Sequence, residues 1–193
     1  MKKIILASAS PRRRELLSQI GLKFKVYPAS LIENKIIAQT PEKTVLKIAL
    51  KKAKQVSELF LNEIVIGADT IVVYKNKILG KPENTQEAIE MLSLLSGNTH
   101  KVLTGIAIIN KAKKIILNDF EKTYVSMRKI NLKEIINYVR TGEPMDKAGA
   151  YAIQGEGQKF ILNIDGSYSN VVGLPLEKLE TMLRILDIKN SMS

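Results

Sequence analysis

Within its first twenty residues the chain passes from a strand to a helix through a turn of small and hydroxyl-bearing residues, which commits it to a fold that mixes the two. Ile4-Ile5-Leu6-Ala7 is a short apolar run of the kind that fills a buried strand. Leu16, Leu17 and Ile20 then recur at helical spacing and stop at Gly21. Between them lies Ser8-Ala9-Ser10-Pro11-Arg12-Arg13-Arg14-Glu15. Ser10 suits the N-cap and Pro11 the first helical position. A helix start presents unpaired N–H groups and the positive end of its dipole, which suit an anion. Arginine in a first turn opposes that dipole, and a residue that breaks a local rule is a functional candidate. The segment reads as a phosphate site.

The alternation continues along the chain. Phe24-Lys25-Val26-Tyr27 reads as a strand, and Thr40-Pro41-Glu42 starts a helix that runs through Val45, Leu46, Ile48, Ala49, Ala53 and Val56 towards Leu59. Ile64-Val65-Ile66 opens a strand that resumes after Gly67-Ala68-Asp69-Thr70 as Ile71-Val72-Val73, with a hairpin tip expected at Asn76-Lys77. A helix is predicted over 85–95, two long strands over 100–109 and 114–127, and a helix over 132–139. A polar, Gly-containing loop region covers 141–157 and a strand 160–164. A C-terminal helix carries Leu176, Leu179, Met182, Leu183 and Leu186. This order predicts an α/β fold: two lobes on one continuous mixed sheet with flanking helices and a central cleft. No internal repeat or linker interrupts it.

Composition narrows the chemistry. The 193 residues suit one domain or two small lobes, and 45% hydrophobic content is ample for a core. No apolar run is long enough to span a bilayer, and the apolar stretch after Lys2-Lys3 falls short of the ~7–15 residues of a secretory signal. The expected location is cytoplasmic. The absence of cysteine excludes disulfides, thiolate zinc sites and a cysteine nucleophile. A single histidine, His100, excludes His-rich metal sites and leaves one imidazole at most for schemes such as Ser-His-Asp catalysis. What remains is carboxylates, lysines, arginines, hydroxyls and a hard cation such as Mg²⁺. The net charge of +11 invites a nucleic-acid reading, but the lysines are spread from Lys2 to Lys189 and aromatics are scarce, at 5% with no Trp. Nucleic-acid binding is therefore disfavoured.

Asp69 is a lone acid inside an apolar strand, costly unless it is paired or binds something. It is a candidate general base or metal ligand; the alternative is a strand-end Asp that caps a turn. Gly67 beside it is expected to let a ligand approach closely. Gly80-Lys81-Pro82 places Lys81 on a stiff loop, as a point charge for phosphate or as a solvated lysine. Most of Lys51, Lys52 and Lys54 on this helix read as solvated, periodicity alone does not single out Lys52, and Glu33 is undistinguished. In the loop 146–155, Gln154 offers the donor and acceptor that a base edge needs, or belongs to a structural Gly-rich turn. Asn170-Val171-Val172-Gly173-Leu174-Pro175-Leu176 reads as a structural strand or turn before a helix.

As an ordered set these motifs resemble the Maf family of nucleoside triphosphate pyrophosphatases. The matching segments are Ser8-Ala9-Ser10-Pro11-Arg12-Arg13 with Glu15-Leu16-Leu17, Gly67-Ala68-Asp69-Thr70-Ile71-Val72, Gly80-Lys81-Pro82 and Leu95-Ser96-Gly97. They continue with Asp146-Lys147-Ala148-Gly149-Ala150-Tyr151, Ile153-Gln154-Gly155, Asp165-Gly166-Ser167-Tyr168 and Asn170-Val171-Val172-Gly173-Leu174-Pro175. The resemblance covers nearly the whole chain, read as one domain over 1–193. It implies a two-lobed fold like that of the inosine triphosphatases, with substrate in the cleft. It also implies cleavage of a nucleoside triphosphate to monophosphate and pyrophosphate with a divalent cation (Mg²⁺, or Mn²⁺ or Co²⁺), and a homodimer.

By the same resemblance, Asp69 takes the general-base position. Glu33, Lys52 and Lys81 take positions tied to metal or phosphate, with Glu33 and Asp69 as metal ligands, and Ser8 and Arg13 lie on the phosphate turn. Arg12, Thr70 and Gln154 match the branch that acts on dTTP and UTP. Lys51 stands where Glu is usual and Met127 where Phe is common. The alternatives are a 7-methyl-GTP or modified-nucleotide pyrophosphatase of the same family, and a regulator of septum formation that acts through a partner.

Overall fold

The computed structural model describes residues 3–31, 36 and 38–186. The elements are, in order, β1 (Ile4–Leu6), α1 (Pro11–Gln19), β2 (Phe24–Val26), α2 (Pro41–Ser57), β3 (Ile64–Tyr74), β4 (Lys77–Leu79) and α3 (Thr85–Leu95). They continue as β5 (Thr99–Asn110), β6 (Ile115–Met127), α4 (Leu132–Arg140), β7 (Ile161–Asp165), α5 (Tyr168–Val172) and α6 (Leu176–Arg184), with short 3-10 turns between α4 and β7. Among the described residues seven strands form one mixed sheet in the order β2-β1-β3-β5-β6-β7, with β4 paired to β3. The predicted α/β class and nearly every predicted element are therefore present.

The register of the first strands places the turn seen in the sequence. β1 pairs parallel with β2 on one side and with β3 on the other, Ile4 lying opposite both Phe24 and Ile64. The chain leaves β1 for one neighbour and returns past it to the other. Such a reversal opens a crevice beyond the carboxyl ends of the strands, where open α/β sheets bind ligands. Leu6 is in register with Ile66, so β3 runs on through Gly67-Ala68-Asp69 past the carboxyl end of β1, from which the turn that starts at Ser8 departs.

Two compact units divide the chain, and β3, β5 and β6 each contribute residues to both. The first consists of 1–69, 104–121 and 173–193. Its core sets Ile5, Ala7, Val65, Ala107 and Ile109 of the sheet region against Ala49, Ala53 and Val56 of α2. Small residues let the helix lie close. A Cβ at Gly67 would sit 2.5 Å from the Ala49 carbonyl oxygen and 2.8 Å from the Ala53 nitrogen; one at Gly105 would sit 2.4 Å from the Val45 carbonyl oxygen. Gly67 was expected to admit a ligand. The structure corrects this: the space is taken by the backbone of α2.

The second unit consists of 70–103 and 122–172. Leu92 and Leu95 of α3 and Ile135, Tyr138 and Val139 of α4 share its core with Val72, Val102, Val125 and Phe160. Each such side chain contributes about 1.5–3 kcal/mol on burial. The β3–β4 hairpin turns at Lys75-Asn76, one residue before the expected tip: Tyr74 pairs with Lys77, and φ is +45° and +64° at the two turn residues. A two-residue hairpin of this twist needs both central residues left-handed, which Asn tolerates well. The segment 170–176, read as a strand or turn before a helix, begins instead within the short helix α5, and the helix expected after it follows as α6.

Candidate active site

The start of α1 is built as its sequence implies. Ser10 is extended at the N-cap, its hydroxyl accepts the Arg13 N–H at 3.5 Å, and no acidic residue occupies the first turn. Ser8 is buried directly after β1. Its hydroxyl oxygen accepts the Ser10 N–H at 3.2 Å and Arg13 Nη1 at 3.3 Å. Arg13 Nε donates to the Gly173 carbonyl at 2.8 Å. The guanidinium is thus fixed at two points, beside the helix start. The residue types around Gly173 read as structural only, because a backbone carbonyl that orients an arginine leaves no trace in them. Arg12 is half-buried on the same turn. An open cavity of about 500 Å³ lies beside this turn, lined by Ser8, Ala9, Ser10, Pro11, Arg14, Glu15, Ser18 and Val26.

Asp69 lies on β3 just past the carboxyl end of β1, near which the Ser8 turn begins, and it is paired. Lys52 Nζ on α2 donates to Asp69 Oδ1 at 2.8 Å and to the Ala68 carbonyl at 3.3 Å. Both residues are buried, at 5% and 4% exposure. A carboxylate so far from water needs such a counter-charge. Lys52, one of three lysines read as mostly solvated and not singled out among them, is the buried one. The signal was present: Val45, Ile48, Ala49 and Val56 form the apolar stripe of α2, and position 52 lies on it, a turn from Ile48 and a turn from Val56. A lysine there has to be buried with a partner. Lys51 and Lys54 are exposed, as expected.

Three candidates belong to the second unit. Thr70 follows Asp69 along β3 and is half-buried. Lys81 is exposed on the loop after β4, and the Gly80 carbonyl beside it accepts the Gly149 N–H at 2.9 Å. That bond ties the Lys81 loop to the small-residue loop leading to Gln154, where Gly149 (φ +69°) packs on Val72. Gln154 is exposed. Glu33 lies outside the described residues.

Among the described residues no three His, Asp or Glu side chains gather into a metal cage. Asp69 is a single carboxylate. Mg²⁺ is commonly held by one or two carboxylates together with substrate phosphates, so this donor set fits a cation that arrives with a nucleotide. Among the described residues no helix is long and apolar enough to cross a membrane.

Residues 3–186 match the family described as Maf-like protein. The chain belongs to the Maf-like family. A curated Maf-like relative from Caldicellulosiruptor saccharolyticus, named dTTP/UTP pyrophosphatase, is 48% identical over 190 residues and covers 96% of each chain. Another of the same name, from Bacillus cereus strain G9842, is 48% identical over 188 residues and covers 97% of each. Among solved structures, the Ham1 protein of Staphylococcus aureus aligns with a TM-score of 0.54 at 13% identity, covering 96% of this chain and all of that one. A HAM1 protein from Coxiella burnetii aligns at 0.50 and 17%, with the same coverage. At such identity the likeness is one of fold, and it agrees with the expected inosine triphosphatase-like architecture of this Maf-like chain.

Proposed function

We propose that this protein hydrolyses dTTP and UTP to the nucleoside monophosphate and pyrophosphate. The observation that carries the reading is the buried Lys52–Asp69 pair, whose Asp69 lies on β3 just past the carboxyl end of β1, where the chain enters the Ser8–Arg13 turn. The names of relatives 48% identical over almost the whole chain support the same activity.

In this reading water attacks the α-phosphorus, its proton passes to Asp69, and the bond to the bridging oxygen breaks as pyrophosphate leaves. Asp69 orients the attacking oxygen, and Lys52 keeps that carboxylate in place. Arg13, the Ser8 hydroxyl and the N–H groups at the start of α1 take phosphate oxygens, and Lys81 adds a positive charge. A divalent cation, Mg²⁺ with Mn²⁺ or Co²⁺ as alternatives, would be held by Asp69 and Glu33. It would supply charge that draws electron density from the phosphoryl oxygens. Arg12, Thr70 and Gln154 read the base, with polar groups that reject a base unable to satisfy them. The whole chain, 1–193, acts as one functional domain and assembles as a homodimer.

The test is pyrophosphate release from dTTP, UTP, CTP, GTP and 7-methyl-GTP with Mg²⁺, for wild type and Gln154→Ala. The expected result is preference for dTTP and UTP, narrowed about tenfold in the variant by loss of a hydrogen bond to the base. Preference for 7-methyl-GTP would overturn the base assignment. A folded protein that turns over none of these with Mg²⁺, Mn²⁺ or Co²⁺ would overturn the enzymatic reading.

A further inference from the structure

The loop of residues 152–157, which carries Gln154, is closed around a single carboxylate. Glu143 stands just after α4, on a short 3-10 turn. Its Oε1 accepts the Tyr138 hydroxyl at 2.7 Å and the Gly157 N–H at 3.1 Å, and its Oε2 accepts the Glu156 N–H at 3.0 Å. The Tyr138 hydroxyl in turn accepts the Ala152 N–H at 3.1 Å. One carboxylate and one phenol therefore hold backbone N–H groups on both sides of Gln154.

The loop fits this clamp closely. Gly155 has φ +88° and ψ −151°, a conformation that only glycine adopts without strain. A Cβ there would lie 2.6 Å from Glu143 Oε2, and one at Gly157 would lie 2.6 Å from the Tyr138 hydroxyl. Tyr138 is fully buried and meets Phe160 edge-on, with ring centroids 5.1 Å apart, so the clamp is anchored in the core of its unit. Burial opposes the charge of Glu143, but the Tyr138 hydroxyl, the two N–H groups and Lys147 outweigh it and hold the carboxyl below its ordinary range. Burial, with the bond to Glu143, pushes the Tyr138 phenol up, so it stays a donor. Gln154 itself is exposed, and no hydrogen bond among the described residues engages its side-chain amide. Its placement comes from the backbone, and so from the clamp.

We propose that Glu143 is a positioning residue for base recognition: through Tyr138 and the N–H groups of Glu156 and Gly157 it fixes the loop that presents Gln154. The proposal rests on the reading that Gln154 recognises the base of dTTP and UTP. Glu143 touches no reacting atom, so its loss should weaken binding and discrimination and spare the chemical step.

The experiment compares kcat and KM for dTTP, UTP and CTP in wild type, Glu143→Gln, Tyr138→Phe and Gln154→Ala. In Glu143→Gln an NH₂ donor replaces one acceptor and faces N–H groups. Its KM for dTTP and UTP is expected to rise about tenfold and its selectivity over CTP to narrow about as much, with kcat changed less than about twofold. Tyr138→Phe keeps the ring in the core and should shift the same quantities less. A purely structural residue would lower thermal stability and leave the selectivity ratio alone, and that result in both variants overturns the proposal. The two readings fail separately. Wild type inactive on dTTP and UTP defeats the functional reading. An active, selective wild type whose selectivity falls in Gln154→Ala but survives in Glu143→Gln and Tyr138→Phe defeats the role of Glu143 alone.

Discussion

The ammonium of Lys52 lies 2.8 Å from Asp69 Oδ1, and neither side chain is more than 7% exposed. Breaking a buried pair by removing one partner costs far more than replacing both, because one charge is left without its counter-charge. Lys52→Met should destabilise the protein by about 3–5 kcal/mol. Asp69→Asn keeps an acceptor for the lysine but removes its counter-charge, so it should fold with reduced stability while lowering turnover by about 10²–10⁴-fold through loss of the base. The double variant should recover part of the stability lost in Lys52→Met. Urea unfolding of all four proteins checks the coupling, and strictly additive losses would mean that the pair adds nothing to stability.

The seat of that pair is set by two glycines. α2 approaches β3 at Gly67 and β5 at Gly105, where an added Cβ would meet backbone atoms at 2.5 Å and 2.4 Å. Backbone cannot move aside as a flexible side chain does, so the helix has to shift. Gly67→Ala and Gly105→Ala should each destabilise by about 1–3 kcal/mol. Gly67→Ala should also reduce kcat, because Lys52 and Asp69 lie on the two elements forced apart; Gly105→Ala, near the start of α2, should reduce it less. Unfolding curves alongside steady-state rates separate the two effects. Equal loss of kcat in both variants would contradict this local account.

Much of this arrangement was legible in the residues. The N-cap at Ser10, the helix start at Thr40-Pro41 and the strand that holds Asp69 follow from local chemistry, and the structure has them where spacing put them. A bare acid in an apolar strand is costly unless it is paired or binds something, and of these Asp69 is paired, with Lys52. The identity of that partner was harder. It required treating position 52 of α2 as part of an apolar stripe despite its charge, against the usual expectation that lysines on a helix are solvated. Gly67 shows the opposite difficulty: small size told that something comes close, but whether a ligand or a helix fills the space depends on packing between elements distant in sequence. The bond from Arg13 to the Gly173 carbonyl and the clamp at Glu143 are of the same kind, since backbone acceptors and donors are the same for every residue type.

The single histidine gives the fold a dependence on acid. His100 is buried on β5, its Nε2 is 2.7 Å from the Tyr151 hydroxyl, and its Nδ1 has no hydrogen-bond partner among the described residues. Burial lowers its pKa from 6.5 to about 4, and burial keeps the Tyr151 phenol protonated as well. The folded state thus holds the neutral ring, while the unfolded chain takes up a proton below pH 6.5. Stability therefore rises with pH across this interval. The contribution is complete above pH 6.5 and is lost as the pH falls towards about 4. The loss attributable to this one ring is about 3 kcal/mol. His100→Gln keeps a polar group for Tyr151 and does not titrate. Its unfolding free energy should fall less steeply than that of wild type over the same interval, and parallel curves for the two proteins would show that His100 is not the group responsible.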